Sequence, residues 1–243
     1  MTTFYGYQRL TKPEDWRGLA GPENWREAHS AYELAYSWQS AGGLPAGIRA
    51  ALEKAGHPSL DGLRLDVAIV EKPVFLDTQS APSMTDLMGY ARNSADEPIV
   101  LAVEGKAQEP FGPPVRAWLR GDALEPPPGA EPRRTRARRF EFLCARLGLG
   151  VDLECQLRYQ LFHRTVSAVA EAELHAAAAA VVIVHAFGPE SPSNWKDYEL
   201  FLQALGAPQA AVGKTIGPIR LGSQRATNAF FLWWQDPIRG RVA

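Results

Sequence analysis

Short, uninterrupted apolar runs are the clearest pattern along this chain, and the strongest of them lies within residues 98–108. Ile99 to Val103 are all apolar, as expected for a strand that is covered on both faces of a sheet. Similar but shorter runs, bounded by turn residues, predict further strands over 67–70, 74–76, 87–91, 180–187 and 230–234.

Helical spacing of apolar residues separates these runs. It predicts helices over 24–40, 45–55, 138–147, 153–177 and 194–205. Asn24 and Asn194 are suitable N-caps, and Pro45 suits the first turn of its helix. Strands that alternate with long helices favour an α/β fold, with a central mixed sheet flanked by helices. We expect a single domain over 1–243 that begins with an irregular lead-in (1–23). Its C-terminal extension (188–243) should contribute one further helix and one further strand, packed on the core.

Composition narrows the class of protein. The chain has 243 residues, of which 46% are hydrophobic and 22% charged, so it can bury a sizeable core. Its net charge of −1 does not require a nucleic-acid partner. Cys144 and Cys155 form no CxxC pair and suit reduced thiols. We see neither a secretory signal nor an apolar run of the roughly 20 residues that span a membrane, so we expect a cytoplasmic protein. A homodimer is left open.

Polar residues at the end of the 98–108 strand carry the candidate chemistry. Because side chains alternate along a strand, Glu104, Lys106 and Gln108 should share one face, and Glu109 should point the opposite way if the strand continues regularly. Asp86 would lie beside Glu104 if the two strands pair. Two carboxylates with retained waters suit Mg²⁺ or Mn²⁺, and Lys106 could orient or deprotonate an attacking water or stabilise charge on phosphorus. The alternative is a solvated surface pair.

Asp86 followed by Glu104-Gly105-Lys106 resembles the signature of the PD-(D/E)XK nuclease-like superfamily, which has the restriction-endonuclease-like fold. Thr85 stands where many members have proline before the first acid. The resemblance covers residues 83–119 and 156–187. Within these ranges, the segments 83–87, 103–112, 157–165 and 181–187 are similar to an uncharacterised bacterial branch of the superfamily. It implies a core of order α-β-β-β-α-β, Asp86 and Glu104 as metal ligands, Lys106 as the catalytic lysine, and a nucleic-acid partner.

Members of this superfamily often carry a further acid on the first helix. Glu27 and Glu33 are both available, but Glu33 lies nearly opposite the apolar face of that helix and should be exposed to solvent. Glu71, at the end of the first predicted strand, could reach the site instead, or it could be a surface carboxylate.

The 153–177 helix offers candidate substrate-binding residues. Arg158, Gln160 and Arg164 could face a cleft and contact phosphates or bases, or they could form an ordinary polar helix face. Gln108, on the same strand face as Glu104 and Lys106, is a further candidate for substrate binding. An arginine cluster at 133–139 could follow a nucleic-acid backbone or be a solvated segment.

Three hypotheses follow from these patterns. The chain is a Mg²⁺-dependent nuclease acting on DNA or RNA, a catalytically silent binding module with the same fold, or a hydrolase of a small phosphate ester. A deep, closed pocket at Glu104 would favour the small ester, whereas an open basic groove would favour the nuclease.

Overall fold

The computed structural model describes residues 2–77, 81–120, 132–152, 155–189, 191–222 and 226–239, and it places them around one mixed sheet. The strands are β1 (Thr3–Tyr5), β2 (Arg9–Leu10), β3 (Arg64–Val74), β4 (Ser83–Arg92), β5 (Pro98–Lys106), β6 (Ala179–Phe187), β7 (Ile216–Leu221) and β8 (Thr227–Asp236). The α-helices are α1 (Arg17–Ala20), α2 (Ser30–Ser40), α3 (Ala46–Glu53), α4 (Val115–Arg120), α5 (Pro132–Leu147), α6 (Tyr159–Leu174) and α7 (Pro192–Ala204). Two short 3-10 helices, Pro13–Trp16 and Pro58–Leu60, complete the described secondary structure.

The eight strands lie in the order β2-β1-β3-β4-β5-β6-β8-β7. β3, β4 and β5 form an antiparallel meander, and β6 then pairs parallel to β5 after a long helical crossover. The predicted α/β class and the order α-β-β-β-α-β are confirmed by α2, β3, β4, β5, α6 and β6. The predicted C-terminal helix and strand are α7 and β8, and β8 extends the sheet parallel to β6.

Helices cover both faces of the sheet, which explains the continuous apolar run of β5. Leu101 and Val103 pack into a core shared with α2 and α3. Val100 and Ala102 point the other way, into a core shared with α5, α6 and α7. All nine residues of β6 are buried, because this central strand has a strand on each side and helices above and below. Within the described ranges, no helix combines the length and apolarity needed to cross a membrane.

Three strands were missed by the sequence pattern. The segment 1–23 is not irregular throughout, because β1 pairs in parallel with β3 and β2 pairs with β1. These strands have only three and two residues, too few to show an alternation. β7 contains the Gly217-Pro218 pair, which reads as a turn in sequence, yet it occupies a sheet edge where proline is tolerated.

The first residues of the helices differ more from the predicted positions than their last residues do. The predicted cap at Asn24 is wrong: Ala28 has a φ of 65°, which no helix accommodates, and α2 begins at Ser30. α6 begins at Tyr159 rather than at 153, and residues 153–154 lie outside the described residues. Asn194 lies inside α7, and its side chain ties that helix to the residues after β5 by donating to the Glu109 carbonyl.

Candidate functional site

The end of β5 presents alternating side chains to the two layers of helices. Gly105 faces α2, where a Cβ would lie 3.2 Å from Cβ of Ser30. Glu104 and Lys106 therefore face α6. β4 pairs antiparallel with β5, with Leu87 opposite Val103, so the next position, Asp86, falls beside Glu104. The structure thus brings the three predicted catalytic residues together.

Glu104 is the centre of a buried hydrogen-bond network and is only 3% exposed. Its Oε1 accepts from Lys106 Nζ at 2.7 Å and from Gln160 Nε2 at 2.5 Å. Its Oε2 accepts from Arg164 Nε at 2.6 Å and also from Arg164 Nη2. Gln160 and Arg164 are four residues apart on α6, so they project from one face of the helix. Two residues predicted to touch substrate thus bind the candidate catalytic carboxylate of Glu104 instead.

Arg164 also joins α6 to β4. Its Nη2 lies 3.2 Å from Asp86 Oδ1, and its Nη1 donates to the carbonyl of Met84. Asp86 Oδ2 in turn accepts from the backbone N–H of Gly105 at 2.9 Å. A single buried guanidinium therefore fixes the relative position of the two predicted metal ligands.

The carboxylates of the site differ in their proton affinity. Burial raises the pKa of Asp86 to about 6, and the nearby negative charge of Glu104 adds to the effect. Burial also opposes the charge of Glu104, but Arg164 and Lys106 outweigh it and hold the pKa of Glu104 at about 2. For Lys106, burial favours the neutral amine, but the charges of Glu104 and Asp86 win and raise its pKa above the ordinary value. Glu104 and Lys106 are therefore a charged pair.

Glu71 joins the site through an unusual backbone. It lies within β3 with a φ of 50°, in the left-handed region that side chains other than glycine seldom adopt. It is opposite Asp86, because the preceding residue Val70 pairs with Leu87. Burial raises the pKa of Glu71 to about 8, and the charge of Asp86 contributes. Left-handed backbone at a polar cluster is a form of strain that is common at functional sites.

The residues after β5 depart from the predicted alternation. The strand ends at Lys106 rather than at 108, so the two-residue period ends there. Gln108 is exposed and lies outside the site, whereas Glu109 turns back towards it. Glu109 Oε2 accepts from the N–H of Ala107 at 3.3 Å, and its buried Oε1 has no hydrogen-bond partner among the described residues. The prediction that Glu109 points away from the site is wrong.

These groups form one wall of a cavity of about 380 Å³. The wall carries Glu71, Asp86, Glu104, Lys106 and Glu109. Arg164 lies behind it, bound to two of the carboxylates. Carboxylates outnumber cations, so the site is not the open basic groove expected of a duplex-binding nuclease.

The opposite wall belongs to the segment 16–34, which sequence analysis did not connect with the site. Its small and apolar side chains include Trp16, Ala20, Ala31 and Leu34. Asn24 and His29 are exposed and mark the mouth, whereas Glu104 and Lys106 are buried on the floor. No local signal could have revealed this wall, because it is built by long-range packing of the lead-in segment.

Other predicted residues lie elsewhere. Arg158 binds Asp197 of α7 at 2.7 Å and does not line the cavity. Glu33 is not exposed as predicted but 3% accessible, because its carboxylate accepts from the backbone N–H groups of Ala28 and Arg239. Glu33 lines a different concavity, and Glu27 is exposed ahead of α2.

The arginine cluster of 133–139 has structural partners where its side chains are described. Arg136 donates to the carbonyl of Trp118 at 2.7 Å, and Arg139 is buried in a salt bridge with Asp77. The side chains of Arg133 and Arg134 lie outside the described residues.

The fit to a divalent cation depends on which oxygens remain available. In the described ranges, no group of three or more His, Cys, Asp or Glu side chains is arranged to hold a metal ion. Mg²⁺ needs less than this, because it retains several waters and typically uses one or two carboxylates. Glu104 would have to release a donor to become a ligand, whereas the carboxyl group of Glu71 has no hydrogen-bond donor among the described residues. Asp86 and Glu71 are therefore the better-fitting oxygen donors, and Glu71, with a pKa of about 8, would lose its proton on binding a cation.

Comparison with known proteins identifies a family and no function. A family model described as a domain of unknown function, DUF6946, matches residues 9–237. No curated protein and no solved structure matches the chain.

Proposed function

We propose that this chain, which belongs to the DUF6946 family, is a Mg²⁺-dependent phosphodiesterase of the nuclease type. The observation that carries the proposal is the meeting of Asp86, Glu104 and Lys106 on two paired strands, at the floor of a cavity. An acid pair can hold a divalent cation, and an adjacent ammonium can stabilise the charge that develops when a phosphate ester is hydrolysed. The expected cytoplasmic location is part of the proposal.

Mg²⁺ or Mn²⁺, when bound, would polarise the phosphoryl oxygens and lower the pKa of a water. Asp86 would hold the cation, with Glu71 or Glu104 as the second carboxylate. Hydrolysis forms a bond from a water oxygen to phosphorus and breaks the bond from phosphorus to the ester oxygen, which leaves with a proton.

Lys106 acts through its charge. It is fixed by Glu104 at 2.7 Å and carries its positive charge on the cavity floor. From there the ammonium can orient the attacking water and neutralise negative charge that develops on phosphorus. Gln160 and Arg164 hold Glu104 in place and so position Lys106; in this arrangement they do not touch substrate.

The test is hydrolysis of bis(p-nitrophenyl) phosphate, single-stranded DNA and RNA with and without Mg²⁺ or Mn²⁺. We expect Lys106→Met and Asp86→Asn each to lower the rate by roughly 100-fold or more, as for loss of one electrostatic catalytic group. Lys214→Met, at an exposed lysine far along the chain, is the matched control. Circular dichroism establishes that the variants fold. Metal-independent rates, or equal rates for Lys106→Met and Lys214→Met, would reject the proposal.

One observation favours a second candidate, a catalytically silent binding module. The Glu104 oxygens are fully engaged by Lys106, Gln160 and Arg164, as in a structural polar network. If that is the role of the site, Glu104→Gln lowers the unfolding midpoint while no substrate is hydrolysed by the wild-type protein. Metal-dependent hydrolysis by the wild type excludes this candidate.

A further inference from the structure

The cavity above the candidate catalytic residues has two chemically different walls. One wall carries the carboxylates and Lys106, and the facing wall is lined by Trp16, Ala20, Ala31 and Leu34. Pockets that bind small molecules also combine apolar lining with polar groups that fix orientation, although this cavity carries a larger polar share than most. The cavity volume of about 380 Å³ lies at the small end of their range.

Glu104 and Lys106 lie at the bottom of this cavity, and the neighbouring Asp86 has a side chain that is 26% exposed. Glu104 and Lys106 are 3% and 5% exposed, whereas the rim residues Asn24 and His29 are open to solvent. A phosphorus atom must therefore pass between the walls to reach Lys106. A phosphate in the middle of a rigid duplex is flanked by neighbouring nucleotides and cannot do so without the duplex being opened.

The charge of the cavity also disfavours binding of an intact duplex. Four acidic side chains, Glu71, Asp86, Glu104 and Glu109, line it, and Lys106 is the one lysine or arginine among its described lining residues. Glu71, with a pKa of about 8, is protonated at neutral pH, but the remaining acids still outnumber Lys106. A duplex carries a negative charge about every 1.7 Å along its axis, so it is attracted by basic surfaces and repelled by acidic ones. One isolated phosphodiester group needs only the local charge of Lys106 and a bound cation.

We propose that the substrate is a nucleotide-sized phosphodiester, entering alone or as the end of a single strand, whose planar or apolar substituent packs against the wall formed by Trp16, Ala20, Ala31 and Leu34. This inference rests on the proposed function and specifies its substrate. Small diesters and strand ends present the same chemistry to the cavity, and separate substrates distinguish them.

The first experiment compares four substrates with the Mg²⁺- or Mn²⁺-loaded protein. They are bis(p-nitrophenyl) phosphate, thymidine 5′-(p-nitrophenyl phosphate), an oligonucleotide duplex with single-stranded overhangs, and a covalently closed duplex plasmid. We expect hydrolysis of the small diesters, of the overhangs, or of both, with the closed plasmid at least roughly tenfold slower, as for a substrate that a pocket excludes. Plasmid cleavage at a comparable rate overturns this inference and leaves the phosphodiesterase proposal intact. Failure to hydrolyse any of the four overturns both.

The second experiment fills the cavity. Ala31→Trp places a large ring between the walls, and Ala20→Trp does so from the neighbouring helix, in case the first variant does not fold. We expect kcat/KM for the small diester to fall by roughly tenfold or more, mainly through KM. Ala50→Trp, at an exposed position of α3 outside the cavity, is the matched control and should leave the rate unchanged. Unchanged kinetics in a folded Ala31→Trp or Ala20→Trp variant would show that substrate does not occupy this space.

Discussion

Replacing Arg164 with methionine should destabilise the protein more than any other single loss of a charge at the site. Methionine keeps much of the side-chain length but leaves Glu104 Oε2 and the Met84 carbonyl without their donor, and Asp86 Oδ1 without its nearby cation. Arg164 and Glu104 side chains are 3% and 4% exposed, so water cannot take over these contacts. Removing one partner of such a buried ion pair costs about 3–5 kcal/mol.

The loss can be measured by urea unfolding, followed by tryptophan fluorescence, and by thermal unfolding. In a chain of this size, 1 kcal/mol corresponds to about 2–4 °C in Tm, so we expect a drop of roughly 6–20 °C. Arg64→Met is the matched control. Arg64 pairs with Asp66 at 3.1 Å, but its side chain is 65% exposed, and such pairs contribute at most about 1 kcal/mol.

The dependence of the stability loss on pH and on Mg²⁺ distinguishes a loss of electrostatic interactions from a simple loss of packing. The deficit of Arg164→Met should shrink as the pH falls, because protonated carboxyl groups tolerate burial better than charged ones. Mg²⁺ should also restore part of the stability, by about 2.7 kcal/mol at a concentration of 100 Kd, if the released carboxylates bind it. A deficit below about 1 kcal/mol, or one that neither pH nor Mg²⁺ changes, would refute the view that Arg164 neutralises these acids.

Three further variants test other parts of the structure. Burial lowers the pKa of His185 below its ordinary 6.5, so the stability contributed by its neutral form is present above pH 6.5 and is lost as the pH falls. From about pH 7 to about pH 5, the urea midpoint of the wild type should therefore fall more steeply than that of His185→Gln. Equal slopes for the two proteins would contradict this. Gly105→Ala should cost about 1 kcal/mol, because its Cβ would lie 3.2 Å from Cβ of Ser30 and α2 must shift slightly to admit it. Gly18→Ala, with no atom within 4 Å of the new Cβ, should be neutral or slightly stabilising in the same denaturation assay, and equal effects of the two variants would contradict this. Arg158→Met should lower the free energy of unfolding by removing the ion pair with Asp197, while kcat/KM for a small diester stays unchanged. A large fall in kcat/KM would instead indicate that Arg158 binds substrate.

Local patterns were sufficient to predict the centre of the fold and the pairing of its candidate acids. The apolar run of β5 indicated a strand covered on both sides, and a two-residue period placed Glu104 and Lys106 on one face. The position of Asp86 then needed only that consecutive strands pair, which is the commonest arrangement. Each of these steps concerns neighbours in sequence or adjacent strands.

The residues that were misjudged depend either on a contact between distant parts of the chain or on a local departure from regular backbone geometry. A helical projection places Glu33 away from the apolar face of α2, but the backbone N–H of Arg239, 206 residues later, binds its carboxylate. Glu71 is aimed at the site by a left-handed backbone that no residue preference predicts for glutamate. Glu109 returns to the site because β5 ends earlier than its polar continuation suggested.

The roles of the three principal carboxylates follow from which donors reach them. Glu104 faces α6, and Gln160 and Arg164 reach it together with Lys106, so it is held as a charged anchor with a pKa of about 2. Asp86 receives one backbone N–H and one side of Arg164, and Glu71 receives neither. A divalent cation therefore gains most where donors are fewest, at Asp86 and Glu71, and must compete with Lys106 and Arg164 for Glu104. Of the two acids that the sequence signature assigns to the metal, Glu104 is thus the one that the fold has already engaged, and its contribution in this arrangement is to hold Lys106 and Arg164 in place.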